Sequence, residues 1–379
     1  MIINIATNGG RSHLLDIARE LQNLGHTINF YSYISDKRAI KFGLNKKCNH
    51  SILLLALPFL FLSKFRLFRH WSYRIYARIN DIFIAYYMKP CDIFIGHSAT
   101  HCYSLKYAKK KWGAITILER GTSHIERYIK NMKDVPNFKG FLKLDIVREN
   151  KGYMNADYIV VGAEHVKNSF IEQGYNSQKI FVNNYGFNSK FFYPTSSTGE
   201  FDIIMVGTWG YRKGCDLIIK ACESKGYKLL HVGNIGDLDF PTNIKAKSVG
   251  VKEEQALINY YKKAKVFVLP SREEGLALVQ MQAICCGLPL VCSQYTGGRD
   301  IKKYCNNPEY IIEINSYDVD ELCKCIDKAL ALAKTQKGLR NYVGSDLSEI
   351  SFEGYGRRYN DFLLKIANNS KTKSNEIKS

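Results

Sequence analysis

Short apolar runs alternate with longer amphipathic stretches through most of the chain, and this rhythm limits the possible folds more than any other feature. Residues 2–6 read as a strand. Residues 12–24 read as a helix with Leu14, Leu15, Ile17, Ala18, Leu21 and Leu24 on one face and Gly25 as its stop. Further strands are expected over 27–33, 92–96, 114–118, 158–161 and 180–182, with helical sequence between them. Strand–helix–strand repetition of this kind gives a parallel sheet covered on both faces. The run 193–199, Tyr-Pro-Thr-Ser-Ser-Thr-Gly, reads as a linker. The rhythm then restarts with strands over 201–206, 228–232, 266–269 and 290–292. Helices are expected over 213–223, 252–264, 277–286 and 318–335. This predicts an α/β chain of two doubly wound, Rossmann-like domains, 1–194 and 199–350, facing a central cleft where ligands bind at strand ends. Residues 351–366 read as one more helix, and the polar segment 369–379 is expected to be disordered.

A length of 379 residues suits two domains. The formal charge is +19, and it is uneven. Residues 1–195 hold 28 Lys/Arg against 13 Asp/Glu, while 196–379 hold 26 against 22. The front half is therefore expected to face something anionic. The 11 cysteines include no C-x-x-C pair and read as free thiols in a reducing compartment. Residues 1–10 read as a strand entering a glycine loop, not as a signal peptide. The longest apolar run, 52–62, is 11 residues with Pro58 inside it, too short to span a bilayer.

The chemistry is concentrated in 269–290. A buried strand ends at Pro270, an acidic loop follows, and Gly275 opens a helix that stops at Gly287-Leu288-Pro289. The free N–H groups of that helix are expected to point into the cleft, where they suit phosphate oxygens. Glu274, just before them, can accept hydrogen bonds from sugar hydroxyls. From the residues alone this is a place for a sugar phosphate.

The same stretch resembles the signature of the family-4 retaining glycosyltransferases of GT-B architecture, P-S-x-x-E-G-x-x-x-x-x-x-E-A-x-x-x-G-x-P. The match covers Pro270, Ser271, Glu274, Gly275, Ala283, Gly287 and Pro289, and departs at Gln282, where the family has a second glutamate. The resemblance implies that Glu274 touches the donor sugar and that Gly275, Leu276, Ala277 and Leu278 line the nucleotide-sugar site. It places Gln282 at the ribose, with one carbonyl and one amide group but without a carboxylate's charge assistance. It also implies that a helix over about 351–368 crosses back onto the first domain.

A second string, Gly207-Thr208-Trp209-Gly210-Tyr211-Arg212-Lys213-Gly214, sits at the first strand-to-helix turn of the second domain. Gly207 lets the backbone approach a ligand, and Arg212 and Lys213 set two cations beside it. A matching G-x-x-x-x-x-R-K-G stretch in the family neutralises the leaving diphosphate, and the resemblance gives Arg212 and Lys213 that role. Fixed cations there can replace a metal ion. No metal and no tightly bound cofactor is expected, the donor being a UDP or GDP type sugar. Asp237-Leu238-Asp239 reads as solvated turn acids.

On the front side, Gly9, Gly10 and His13 follow the first strand, and His97 ends another. The string Glu119-Arg120-Gly121-Thr122-Ser123-His124 leaves a third strand end and resembles one branch of the family. Leu118 and Glu119 stand about where many members carry a T-x-H histidine. Glu119 and His124 are the catalytic candidates here; Gly9, Gly10, His13, His97 and Arg120 are acceptor-side candidates. Asp157 and Glu164 read as caps and surface acids.

Residues 37–78 carry ten Lys/Arg and no acid, interleaved with Phe59, Phe61, Phe65, Phe68, Trp71, Tyr73 and Tyr76. This suits an anionic membrane surface. No nucleic-acid motif is visible. The expected protein is a retaining glycosyltransferase that moves sugar from a nucleotide-diphosphate sugar to a glycan or lipid-linked acceptor. It would serve cell-surface polysaccharide or glycoconjugate synthesis, as a cytoplasmic protein peripheral to the inner face of the membrane. A phosphorylase or epimerase of the same architecture stays open, although no inorganic-phosphate site or cofactor lysine is visible for a phosphorylase. A non-catalytic scaffold subunit of a glycan-assembly complex also stays open, favoured by Gln282 and by the missing T-x-H histidine.

Overall fold

The computed structural model describes residues 1–9, 12–65, 68–98, 100–336 and 348–376. Strands β1 (Ile2–Ala6), β2 (Thr27–Ser32), β3 (Asn49–Ser51), β4 (Ile93–His97), β5 (Ile115–Arg120), β6 (Tyr158–Val161) and β7 (Ile180–Val182) form one sheet in the order β3-β2-β1-β4-β5-β6-β7. Strands β8 (Phe201–Val206), β9 (Leu229–Val232), β10 (Ala246–Ser248), β11 (Ala264–Leu269), β12 (Leu290–Ser293) and β13 (Ile311–Ile314) form a second, in the order β10-β9-β8-β11-β12-β13. All pairings in both sheets are parallel. Such strands are buried on both faces, which is why Ile3, Ile5, Ile93, Phe94, Ile203, Ile204, Val266 and Phe267 are all inaccessible to solvent.

The strand order reverses between β1 and β4 in the front sheet and between β8 and β11 in the rear sheet. Loops leaving neighbouring strands diverge there and open a crevice. Both glycine loops of the sequence leave these strands, Gly9 after β1 and Gly207 after β8. The expected linker, residues 193–199, runs between the two sheets.

The last helix, Phe352–Glu376, packs along helix His13–Asn23 of the front domain. Arg358 anchors it by donating Nε to Asn183 Oδ1 at 3.0 Å and Nη2 to the Asn184 carbonyl at 2.7 Å. His26 meets Asn360 at 2.7 Å, and the Arg19 guanidinium lies 4.4 Å over the Phe352 ring. This helix continues to Glu376, through most of the segment expected to be disordered. That segment has no Gly or Pro to stop it.

Three strands escaped the sequence reading. β3 and β10 are three-residue edge strands with polar residues, and β13 lies in a stretch left without assignment. The helix expected over 252–264 is instead a 3-10 turn, Glu254–Ala256, followed by a single helical turn, Ile258–Tyr261.

Residues 53–62 form a helix that is apolar on every side, yet only Ala56 is buried. Leu54 is 84% exposed. The helix rests on helix Arg69–Tyr87, where Ser72 Oγ donates to the Phe59 carbonyl at 3.0 Å. No described helix is long and apolar enough to cross a membrane.

Candidate active site

The rear half of the site is built at the β8/β11 reversal. The loop after β8 carries Arg212 and Lys213, and the loop after β11 carries Glu274. Because β8 and β11 are neighbours, the two loops meet. Glu274 Oε1 lies 2.6 Å from Arg212 Nη1 and 2.5 Å from Lys213 Nζ. Burial opposes the charge on Glu274, but Lys213 and Arg212 outweigh it and hold the carboxyl below its ordinary value. Arg212 Nη1 also donates to the Glu273 carbonyl at 2.7 Å, which fixes the acidic loop. Arg272 forks onto Asp216, Nη1 and Nη2 each at 2.7 Å, and ties the loop to the helix after β8.

Glycine is required where these loops press together. Gly207 has a φ of +139°, and its carbonyl accepts from His231 Nε2 at 2.8 Å. A Cβ on Gly275 would stand 2.1 Å from the Gly121 carbonyl oxygen of the front domain. The start of helix Leu278–Cys285 therefore lies at the seam between the sheets. Leu276 and Ala277 are buried in the turn before it, and the Ala277 N–H is taken by the Thr296 carbonyl at 3.3 Å. Gln282, on the same helix, accepts from the Tyr261 hydroxyl at 3.1 Å and reaches Glu254 through Nε2 at 3.4 Å.

Glu273 is a member of the site that the sequence did not single out. It is fully buried, and it crosses the seam to accept the Ser123 N–H at 2.9 Å and Asn131 Nδ2 at 2.7 Å. Burial raises its carboxyl above the ordinary value despite those bonds. His165 adds a second tie, its Nε2 at 3.0 Å from the Glu274 carbonyl oxygen. Glu273 sits beside Glu274 in the same acidic loop, and nothing in the local pattern separates their tasks.

The front half gathers at the carboxyl ends of β1, β4 and β5. His97 and Glu119 are register partners in adjacent strands. Glu119 is fully buried, with His13 Nε2 at 3.4 Å from its Oε2. The His13 ring stacks on Tyr185 at 4.6 Å. Burial, with His13, His101 and Arg120 adding to it, drives His97 down to about 3, so it is neutral at ordinary pH. The Gly9 N–H bonds Thr7 Oγ1 at 3.1 Å; Gly10 lies outside the described residues.

Two front-side candidates are engaged in structural contacts. His124 caps helix Ile125–Met132, its Nδ1 accepting the Glu126 N–H at 3.3 Å. Its ring is enclosed by Tyr153, Phe170 and Tyr175, and burial with Arg120 lowers it to about 4. The ring is buried and forms part of the wall of a cavity lined by Glu126, Arg127, Lys130 and Tyr175. Arg120 is buried in an ion pair with Glu149 at 2.5 Å and donates to the Ser123 carbonyl at 2.9 Å from Nη2. It holds the loop in shape. Among the described residues no group of His, Cys, Asp and Glu is arranged to hold a metal ion.

Residues 187–344 match the family model described as "Glycosyl transferases group 1". That match spans the whole rear sheet and both loops of the cation–carboxylate cluster. Residues 187–344 are a group 1 glycosyl transferase domain. An uncharacterized glycosyltransferase of Methanocaldococcus jannaschii is 27% identical over 165 residues, 40% of this chain and 40% of that protein. The chain thus matches well under half the length of that curated relative. Among solved structures, sucrose-phosphate synthase from Thermosynechococcus elongatus superposes with a TM-score of 0.69 at 15% identity, covering 96% of this chain and 98% of that one. Anabaena HepE in complex with UDP and glucose gives 0.66 at 12% identity over 96% and 99%. These likenesses establish the two-domain GT-B fold for the glycosyl transferase domain together with the front domain that faces it.

Proposed function

We propose that the protein is a retaining glycosyltransferase that takes its sugar from a nucleotide-diphosphate sugar, of UDP type before GDP type. The observation that carries this is the Arg212–Lys213–Glu274 cluster, half-buried at the seam opposite the Gly121 loop. The likeness to Anabaena HepE, solved with UDP and glucose, supports the UDP type.

An incoming diphosphate exchanges with Glu274 for Arg212 and Lys213. Glu274, kept ionised by them, turns to the sugar hydroxyls. The bond from the anomeric carbon to the diphosphate oxygen breaks, and its electron pair stays on the diphosphate. The acceptor hydroxyl bonds the same face of that carbon, and its proton passes to the departing diphosphate. Charge grows on the diphosphate as the bond lengthens. Two fixed cations in a water-poor seam stabilise that charge most in the transition state, and they do so without calling on a metal ion. Gln282 takes the ribose side, with its carbonyl and amide already oriented by Tyr261 and Glu254.

The acceptor is a glycan or a lipid-linked saccharide reached from the front domain, in cell-surface polysaccharide or glycoconjugate synthesis. The exposed side chains of Leu54, Leu57, Phe61, Phe65, Phe68 and Trp71, beside the basic residues of 37–78, support a peripheral seat on the cytoplasmic face of an anionic membrane. A thermal-shift panel of UDP, GDP, ADP and CMP sugars tests the donor. One class should stabilise the protein selectively, and turnover of that sugar should disappear in Lys213→Ala. Stabilisation by none of them, with no turnover, would favour the scaffold reading that the Gln282 departure suggests.

A further inference from the structure

A cavity of about 440 Å³ opens in the front domain beside the cleft. Helix Arg69–Tyr87 gives it Tyr73, Arg74 and Arg78, and helix Lys143–Asn155 gives it Asp145, Arg148 and Glu149. With Arg120, four guanidinium groups line it against two carboxylates. Both carboxylates are already engaged. Asp145 takes Arg74 Nε at 2.8 Å, and Glu149 takes Arg120 Nη1 at 2.5 Å. Arg148 gives Nη2 to Asp81 at 2.5 Å and to the Thr100 carbonyl at 2.9 Å. Arg78, exposed at the rim, makes no hydrogen bond or ion pair among the described residues. With Asp81 holding Arg148, three of the four guanidinium groups are paired and Arg78 is left as the surplus positive charge, which suits an anion that shares it with Arg74.

The cavity communicates with the donor side. Thr122 lines it, and the next residue, Ser123, is bonded to Glu273. Tyr128 lines it as well. Burial raises that phenol, and it also lies within the electrostatic reach of Arg212, Glu273 and Glu274. Away from the cleft, Trp71 is 68% exposed just before Arg74 on the same helix, and the bare apolar helix Leu53–Leu62 packs against it.

We propose that this cavity seats the acceptor and selects acceptors that carry a phosphate group, held between Arg74 and Arg78. Resting on the glycosyltransferase reading above, the assignment adds the chemical class of the second substrate. Arg74 and Arg78 are four apart on one helix, so their side chains rise from the same face and close on one oxyanion. Guanidinium groups bind phosphate oxygens in forks, and such charged hydrogen bonds are stronger than neutral ones. Tyr73, Tyr128 and Phe141 supply flat walls for the ring attached to that phosphate. The same phosphate chemistry serves a lipid-borne saccharide and a free phosphosugar.

Calorimetric titration of the full chain with farnesyl phosphate below its micelle threshold, farnesol and glucose 6-phosphate tests this, with UDP as the donor-side control. Farnesyl phosphate or glucose 6-phosphate should bind, with farnesol at least about tenfold weaker than farnesyl phosphate. Arg78→Glu should weaken phosphate binding by about tenfold or more, Arg78→Lys should keep most of it, and both should leave UDP affinity unchanged. Binding of glucose 6-phosphate with the same Arg78 dependence assigns the site to a soluble phosphosugar; binding of farnesyl phosphate alone assigns it to a lipid-borne one. Farnesol binding as tightly as farnesyl phosphate without any glucose 6-phosphate binding, or indifference to Arg78→Glu, overturns the proposal. Arg78-dependent phosphate binding in a protein that ignores every nucleotide sugar would instead sink the glycosyltransferase reading and leave the anion seat standing.

Discussion

Glu274 on the rear face of the cleft and Glu119 on the front face are both carboxylates drawn out of water at strand ends, and the protein treats them differently. Glu274 has Arg212 at 2.6 Å and Lys213 at 2.5 Å, so its charge is compensated within its own domain. Glu119 has no Lys or Arg paired with it among the described residues: the His13 ring lies at 3.4 Å, and the Tyr359 hydroxyl is within its reach. Around it stand the buried phenols of Tyr185, Tyr355 and Tyr359 and the neutral His97. A buried carboxyl without a matching cation costs stability unless something later meets it. The rear lobe thus neutralises its own carboxylate, whereas the front lobe leaves a buried carboxyl at the end of β5 without a Lys or Arg beside it among the described residues.

The largest test of this contrast is catalytic. Lys213→Ala and Glu274→Ala should each lower turnover by roughly 10²–10³-fold, as the loss of one fixed transition-state charge contact does. If Glu119→Gln lowered turnover more than either, the assignment of the chemistry to the rear lobe would be broken.

Acid should separate the lobes next. His97 is held down to about 3, and His101, His124 and His165 to about 4, each chiefly by burial, and all four belong to the front domain. Between pH 6.5 and these values the unfolded chain binds protons that the folded chain refuses, so stability rises with pH across that window. Front-domain stability should be complete above about pH 6.5 and fall on acidification toward pH 4, on the order of several kcal/mol in sum. Glu274, lowered from its ordinary 4.5, contributes in the same direction only at lower pH. Trp71 and Trp112 report on the front domain and Trp209 on the rear, so urea melts of single-tryptophan variants at pH 7 and pH 5 would show which lobe weakens. Equal weakening of both would contradict the picture.

At the seam, Glu273→Ala leaves the Ser123 N–H without its acceptor and should cost about 1–3 kcal/mol of closure. The readout is a higher KM for the donor and a larger radius of gyration in solution scattering, with each lobe still folded. The smallest effect should be at Glu119. Glu119→Gln replaces a buried carboxyl that has no Lys or Arg beside it by a neutral amide and should raise Tm by roughly 2–4 °C. A fall in Tm would mean that the carboxylate is already satisfied.

Much of this was legible in the sequence. The apolar β-strands and the two glycine loops follow from local pattern, because a buried parallel strand must be apolar along its whole length. That Arg212, Lys213 and Glu274 share a site followed from the family resemblance alone; the adjacency of β8 and β11 that brings their loops together was not in the local pattern. The capping task of His124 was not legible, because a run of ionisable residues reads alike whether it faces a ligand or caps a helix. The task of Glu273 depends on Ser123 and Asn131 in another domain, and no local spacing encodes that distance. The cavity beside Arg78 was hidden for the same reason: its walls come from helices far apart in the chain.

Where Gly275 meets Gly121, the lobes touch main chain to main chain, with no side chain as a cushion between them. Their spacing is then set by the thickness of a peptide group, which no rotamer can adjust. A single methyl there would act as a doorstop. Each lobe would stand whole, but the two could no longer come together at that distance.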